Sequence, residues 1–211
     1  MSKIDEIASM VERGKTKLVP GLVEEAIEEG FDPVEILNKG MIDAMGSVGE
    51  KFQKNEIFVP EMLVAAKAMK KGVETLKPYL GSDTNVTIGK AAVGTVQGDL
   101  HDIGKNLVCL MLESAGFEVN DLGVDVSKEK FAEAAADPEV KIIGVSALLT
   151  TTMPAMRDTV ALLNTLPNRA NFKVMVGGAP ITAEFAEEIG ADAYTTDAAS
   201  CASVAKAFVV G

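Results

Sequence analysis

Near residue 80 the hydrophobic pattern of this chain changes from helical spacing to short β-rich runs alternating with helices, and that change restricts the fold more than any other feature. Before it, apolar residues recur as Ile4, Ile7, Ala8 and Val11, then as Leu18, Leu22, Val23, Ala26 and Ile27. Asp32-Pro33 supplies an N-cap with proline at the first helical position, and so opens a third, long helix through Val34, Leu37, Met41, Ala44, Met45 and Val48. Gly40, Gly46 and Gly49 on that helix suit close packing. Lys54-Asn55-Glu56 ends it, and Pro60 opens a fourth helix carrying Met62, Leu63, Ala66, Met69, Val73 and Leu76. Four helices joined by short links make a bundle.

The turn-rich stretch Gly81-Ser82-Asp83-Thr84-Asn85 marks a domain boundary, giving a helical domain at 1–84 and a second domain at 85–211. In the second, candidate strands at Lys90–Val96, Glu118–Leu122, Ile142–Ser146, Lys173–Val176 and Ala193–Thr195 alternate with helices. The helices are expected at Ile103–Ala115, Lys128–Ala136, Pro154–Leu166, Ala183–Ile189 and Ala199–Val209. A helix between each pair of strands implies right-handed crossovers, hence a five-stranded, doubly wound α/β parallel sheet of the Rossmann-like, flavodoxin-like kind.

Composition removes several functions. With 20 Lys+Arg against 31 Asp+Glu the net charge is −11, and no basic stripe is available to hold nucleic acid. The longest uncharged stretch, Ile142–Met156, is interrupted by threonines and Pro154 and falls short of the roughly 18 apolar residues of a membrane span. The N-terminus lacks a secretory pattern, so a cytoplasmic protein is expected. Cys109 and Cys201 are far apart and form no CxxC, which suggests neither a disulfide framework nor a zinc site.

In doubly wound sheets ligands bind beyond the carboxyl ends of the strands. The loops there read Gln97–Gly104, Gly123–Val126, Ala147–Thr152, Gly177–Ala179 and Thr196–Ala199. The only histidine, His101, lies in the first of them, two residues after Asp99. A lone histidine is by default a solvated loop residue, Gly177-Gly178 an ordinary tight turn, and Thr150–Thr152 an ordinary helix entry. Their convergence on one sheet edge shifts that weighing. An imidazole becomes a metal ligand when a carboxylate orients its other nitrogen, and Asp99 is placed to do so. Gly104 allows a bulky planar group to approach the first turn of the next helix.

The chain resembles the cobalamin-binding proteins. Gly98-Asp99-Leu100-His101-Asp102-Ile103-Gly104 matches their D-x-H-x-x-G signature, Ser146-Ala147-Leu148 their S-x-L, and Gly177-Gly178 their later G-G. Met45–Phe52 and Phe58–Leu63 look like the helical cap of cobalamin-dependent methionine synthase and of the small corrinoid proteins of methanogens and acetogens. The resemblance implies that His101 becomes the lower axial ligand to cobalt, displacing the cofactor's own base. The freed nucleotide tail then inserts between the loop Gly98–Asp102 and the loops at Ser146 and Gly177-Gly178. Ser146 meets the benzimidazole, Thr150 a neighbouring part of the corrinoid, and Ala198 the far side of the tail pocket. Asp99 holds His101, and Thr152 stands where methionine synthase has a serine extending that pair. Protonating the His101/Asp99 pair weakens the ligand and favours the reduced metal. Phe52 and Val59 match positions of the cap over the methyl face.

The resemblance implies a methyl carrier. Its partners are a substrate-specific methyltransferase, a second methyltransferase acting on a thiol or tetrahydrofolate, and a reductive activase, all separate proteins because 211 residues hold only cap and corrinoid modules. The alternatives are a cobalamin-dependent sensor, which lacks an output domain here, and a small mutase subunit, which the cap-like half argues against. A flavin-binding domain is a further alternative, for which 2 Tyr and no Trp offer little stacking surface.

Overall fold

The computed structural model describes residues 2–80 and 87–210, and of Gln53 the backbone alone. The boundary expected at Gly81–Asn85 lies outside the described residues. The described residues form two compact units, the N-terminal helices in one and the sheet in the other. Among them no helix is long and apolar enough to cross a membrane.

In the helical unit, α1 (Lys3–Glu12) opens on a reciprocal cap. The Ser2 hydroxyl accepts the Asp5 N–H at 3.1 Å while the Asp5 carboxylate accepts the Ser2 N–H at 2.8 Å. α2 (Val19–Glu28) follows, and α3 (Pro33–Leu37) starts at Asp32, whose carboxylate accepts the Val34 N–H at 3.2 Å. The single long helix expected from Pro33 is interrupted. Asn38–Ile42 form a π turn, with the Asp43 N–H donating five residues back to the Asn38 carbonyl, before α4 (Asp43–Gln53). A π turn inserts one residue without breaking the rod, and here it carries Gly40 against α1, where a β-carbon would lie 3.2 Å from Ile7. Gly46 faces open space instead. In α5 (Val59–Leu76) the Glu61 carboxylate accepts the Phe58 N–H at 2.8 Å, and Gly72 lets Met41 and Val19 approach to within 2.8 Å of where a β-carbon would sit. Ile7, Val11, Val23, Met41, Met62 and Leu76 fill the core.

The second unit runs β1 (Gly89–Val96), α6 (Ile103–Ser114), β2 (Phe117–Val126), α7 (Lys128–Ala135) and β3 (Val140–Ser146). It continues with α8 (Met153–Asn164), β4 (Lys173–Gly177), α9 (Ala183–Ile189), β5 (Ala193–Tyr194) and α10 (Ala198–Val210). All pairings are parallel, in the order β2-β1-β3-β4-β5. Strand ends match the sequence reading within two residues except at β2, which continues through Gly123–Val126, a segment expected as loop. A register irregularity and positive φ angles at Gly123 (+90°) and Asp125 (+52°) give those residues a loop-like composition inside a paired strand. Phe131 is fully buried beside Gly94 of β1, where a β-carbon would meet its ring at 2.9 Å. Burying that ring contributes about 1.5–3 kcal/mol. Cys109 and Cys201 are free and buried. Burial pushes each thiol up to about 11, against the opposing Lys105 charge at Cys109 and the Thr195 hydroxyl at Cys201.

Candidate functional site

Strand order reverses between β1 and β3, since the chain leaves β1 for β2 on one side and returns to β3 on the other. The crevice at such a switch point is where ligands settle in doubly wound sheets. Thr95, the last residue but one of β1, stands opposite Ser146 at the end of β3, and Ser146 opposite Gly177 at the end of β4. The loop bearing Asp99 and His101 leaves β1 at this edge. Gly98 takes φ +82° in a tight turn closed by the Asp99 N–H donating to the Val96 carbonyl at 3.1 Å.

Asp99 is the centre of the site. Its side chain is fully buried, and its two oxygens accept four hydrogen bonds. Oδ2 takes the Leu148 N–H at 2.7 Å and the Thr152 hydroxyl at 2.8 Å. Oδ1 takes the His101 backbone N–H at 3.1 Å and its ring Nδ1–H at 2.7 Å. Burial by itself pushes the carboxyl up, but the bonds from Leu148, His101 and Thr152 outweigh it and hold the group well below the usual carboxylate range. An ionised carboxylate only accepts, so the proton of the neutral imidazole is on Nδ1 and Nε2 keeps its lone pair. The His101 side chain is 51% exposed, so that electron pair is offered from a ring which the buried carboxylate fixes on one side.

Other residues build the surroundings. The Thr95 hydroxyl, wholly buried, donates to the His101 carbonyl at 2.9 Å. The Asp102 carboxylate accepts from Asn106 Nδ2 at 3.1 Å, and its carbonyl receives the Asn106 N–H at the start of α6. Lys105, 2% exposed, bonds both Asp121 oxygens at 2.6 Å and so ties the first turn of α6 to β2. Leu100 and Ile103, 73% and 79% exposed, are large apolar side chains on the histidine loop, and Leu148 and Leu149 are exposed on the loop after β3. A β-carbon on Gly104 would meet nothing within 4 Å, so the space above the first turn of α6 is open. At Gly178 a β-carbon would fall 1.8 Å from the Ala147 carbonyl oxygen, at a φ of +133° that only glycine adopts readily.

The structure therefore brings Asp99, His101, Leu148 and Thr152 into one hydrogen-bonded group, with Gly98 in its turn. Ser146, Gly177 and Gly178 lie along the same sheet edge, and Thr150 is exposed at the start of a short 3-10 turn leading to Thr152. Ala198 opens α10 beyond β5, two strands from β3, outside that group. Phe52 and Val59, half-buried, belong to the helical unit, near the end of α4 and at the start of α5. Sequence reading missed Thr95, which looks like any β-branched strand residue. It also missed that Leu148 acts through its backbone N–H.

Replacing Thr152 with valine keeps shape but removes one hydrogen bond to an ionised acceptor, and is expected to lower unfolding free energy by about 1.5–3 kcal/mol. Denaturant unfolding of the ligand-free protein measures this, and Thr152→Ser should recover most of the loss.

Among the described residues no three His, Cys, Asp or Glu side chains gather as a metal cage. One oriented imidazole, an apolar rim and an open glycine flank suit a metal that brings its other ligands in a flat ring. A switch-point crevice built this way defines a binding domain for a metal-bearing macrocycle. Family models described as B12 binding domain match residues 89–202 and, separately, residues 3–77. The dimethylamine corrinoid protein 1 of Methanosarcina acetivorans is 44% identical over 205 residues, 96% of this chain and 95% of that protein. The trimethylamine corrinoid protein 1 of the same organism is 41% identical, covering 92% of this chain and 91% of that one. Among solved structures, the methanol:cobalamin methyltransferase complex MtaBC of Methanosarcina barkeri matches with a TM-score of 0.87 at 30% identity, over 99% of this chain and 80% of that chain. A cobalamin-binding protein of Desulfitobacterium hafniense matches with a TM-score of 0.81 at 29% identity, over 99% of this chain and 100% of that one. The chain belongs to the family of B12-binding corrinoid proteins.

Proposed function

We propose that the protein is the corrinoid methyl carrier of a methyltransferase system for methylated amines. The observation that carries this reading is the buried Asp99 carboxylate, 2.7 Å from Nδ1 of a half-exposed His101 at the β1/β3 switch point. A bound corrinoid supplies a cobalt centre that is nucleophilic when reduced and holds a methyl group when oxidised. His101 holds the cofactor through Nε2. Asp99 fixes the ring's orientation and tautomer, and Thr152 with the Leu148 N–H keeps Asp99 ionised and in place. Leu100, Ile103, Leu148 and Leu149 give the macrocycle an apolar seat beside Asp102 and Gly104. Ser146, Thr150, Gly177, Gly178 and Ala198 would border the room for its nucleotide tail.

Relatives named for dimethylamine and trimethylamine support an amine donor. The likeness to a chain of a solved methanol:cobalamin methyltransferase complex supports a substrate-specific methyltransferase as first partner. A second methyltransferase acting on a thiol or tetrahydrofolate takes the methyl group onward, and a reductive activase restores the reduced carrier.

Anaerobic reconstitution with hydroxocobalamin should give a red protein with one corrinoid per chain. After reduction, methyl-cobalt absorption should appear only on adding the cognate methyltransferase with monomethylamine, dimethylamine or trimethylamine. Failure to retain corrinoid would remove the reading, and methylation from methanol alone would replace the donor.

A further inference from the structure

The second strand carries a feature that corrinoid contact does not account for. Two steps of β1, Gly94 to Val96, face three of β2, Gly123 to Val126, so β2 bulges. Within the bulge Asp125 sits at φ +52°, in the left-handed region, which costs free energy for any residue with a β-carbon although Asp tolerates it better than most. Bulges of this kind re-aim a side chain next to a functional site. Here Asp125 is aimed at the histidine loop. Its Oδ1 accepts the Gly98 N–H at 2.7 Å, and its own N–H donates to the Asp99 carbonyl at 3.0 Å. Asp125 thus grips both ends of the Gly98–Asp99 segment, from which the carboxylate holding His101 projects. Asp125 is exposed and adds nothing to the core.

We infer that Asp125 is a positioning residue, which through its clamp on Gly98 and Asp99 sets the His101 ring where it can ligate the corrinoid metal. The inference rests on the proposed function and extends it to a residue on a neighbouring strand. The Thr95 hydroxyl fixes the far end of the same loop at the His101 carbonyl, so the two tethers bracket the Asp99–His101 segment.

The test uses the full-length protein loaded with hydroxocobalamin and reduced to the Co(II) state. Electron paramagnetic resonance on protein labelled with nitrogen-15 histidine separates metal ligated by the protein imidazole from metal still bound to the cofactor's own base. Asp125→Gly keeps the left-handed backbone and deletes the side-chain bond. It should lower the ratio of histidine-ligated to base-ligated metal about tenfold, the equivalent of one charge-assisted hydrogen bond, with little change in melting temperature. Asp125→Asn retains an acceptor oxygen and should restore most of the ratio. An unchanged ratio in Asp125→Gly, or no recovery in Asp125→Asn, would overturn the inference and leave the proposed function standing. A wild-type spectrum insensitive to the histidine label would overturn both, and that failure is recognisable because it needs no variant.

Discussion

Alanine at position 101 is expected to weaken hydroxocobalamin binding about 100-fold while barely changing the stability of the ligand-free protein. Outer partners of a metal ligand cost tenfold to 100-fold when removed, and loss of the ligand itself is placed at the upper end of that range. The stability change is small because the imidazole is half exposed and because Asp99 keeps the Leu148 N–H, the Thr152 hydroxyl and the backbone N–H of residue 101. Spectral titration gives the affinity. Resonance of the reduced, loaded variant should lose the coupling to protein nitrogen that the wild type has. Binding and coupling equal to wild type would mean that His101 is not the ligand.

Asp99→Ala is expected to behave in the opposite way, damaging the fold as well as the site. It strips the acceptor from the Leu148 N–H and from the backbone N–H and ring of His101, while the Thr152 hydroxyl falls back on the Leu149 carbonyl at 2.9 Å. Each buried donor left without a partner costs about 1–3 kcal/mol. The sum is about 3–5 kcal/mol, or of the order of a 10 °C fall in melting temperature for a chain this long. Asp99→Asn offers little rescue, because its amide turns two donors toward an N–H or hydroxyl that also donates. The folded carboxyl titrates below its unfolded counterpart. Its ionic contribution is therefore present in full above the ordinary carboxylate range and is lost progressively as pH falls below that range. Thermal melts of wild type and variant across that window check both size and sign. Superimposable melts would remove Asp99 from its central place.

The parts of this architecture legible in sequence are those with a period or a spacing. Alternating apolar runs fix the order of strands and helices, and Asp-x-His puts a carboxylate within reach of an imidazole two residues on. The rest depends on contacts between distant residues. The π turn at Asn38–Ile42 leaves the apolar spacing helical on both sides, so nothing in the pattern betrays it. The end of β2 reads as loop because Gly123 and Asp125 are turn-forming residues, and only pairing with β1 keeps them in the sheet. Thr95 and the Leu148 N–H gain their roles when the histidine loop folds back over the strand ends. Neither role leaves a local mark, since any β-branched residue suits the strand and every residue except proline has an N–H.

The two buried cysteines bear on a hazard particular to methyl chemistry. A protein that carries an activated methyl group risks alkylating its own thiols. Thiolate is the reactive form, and thiols that burial pushes up to about 11 stay protonated at neutral pH. Cys109 and Cys201 are both buried, so the chain's own sulfhydryls make poor methyl acceptors.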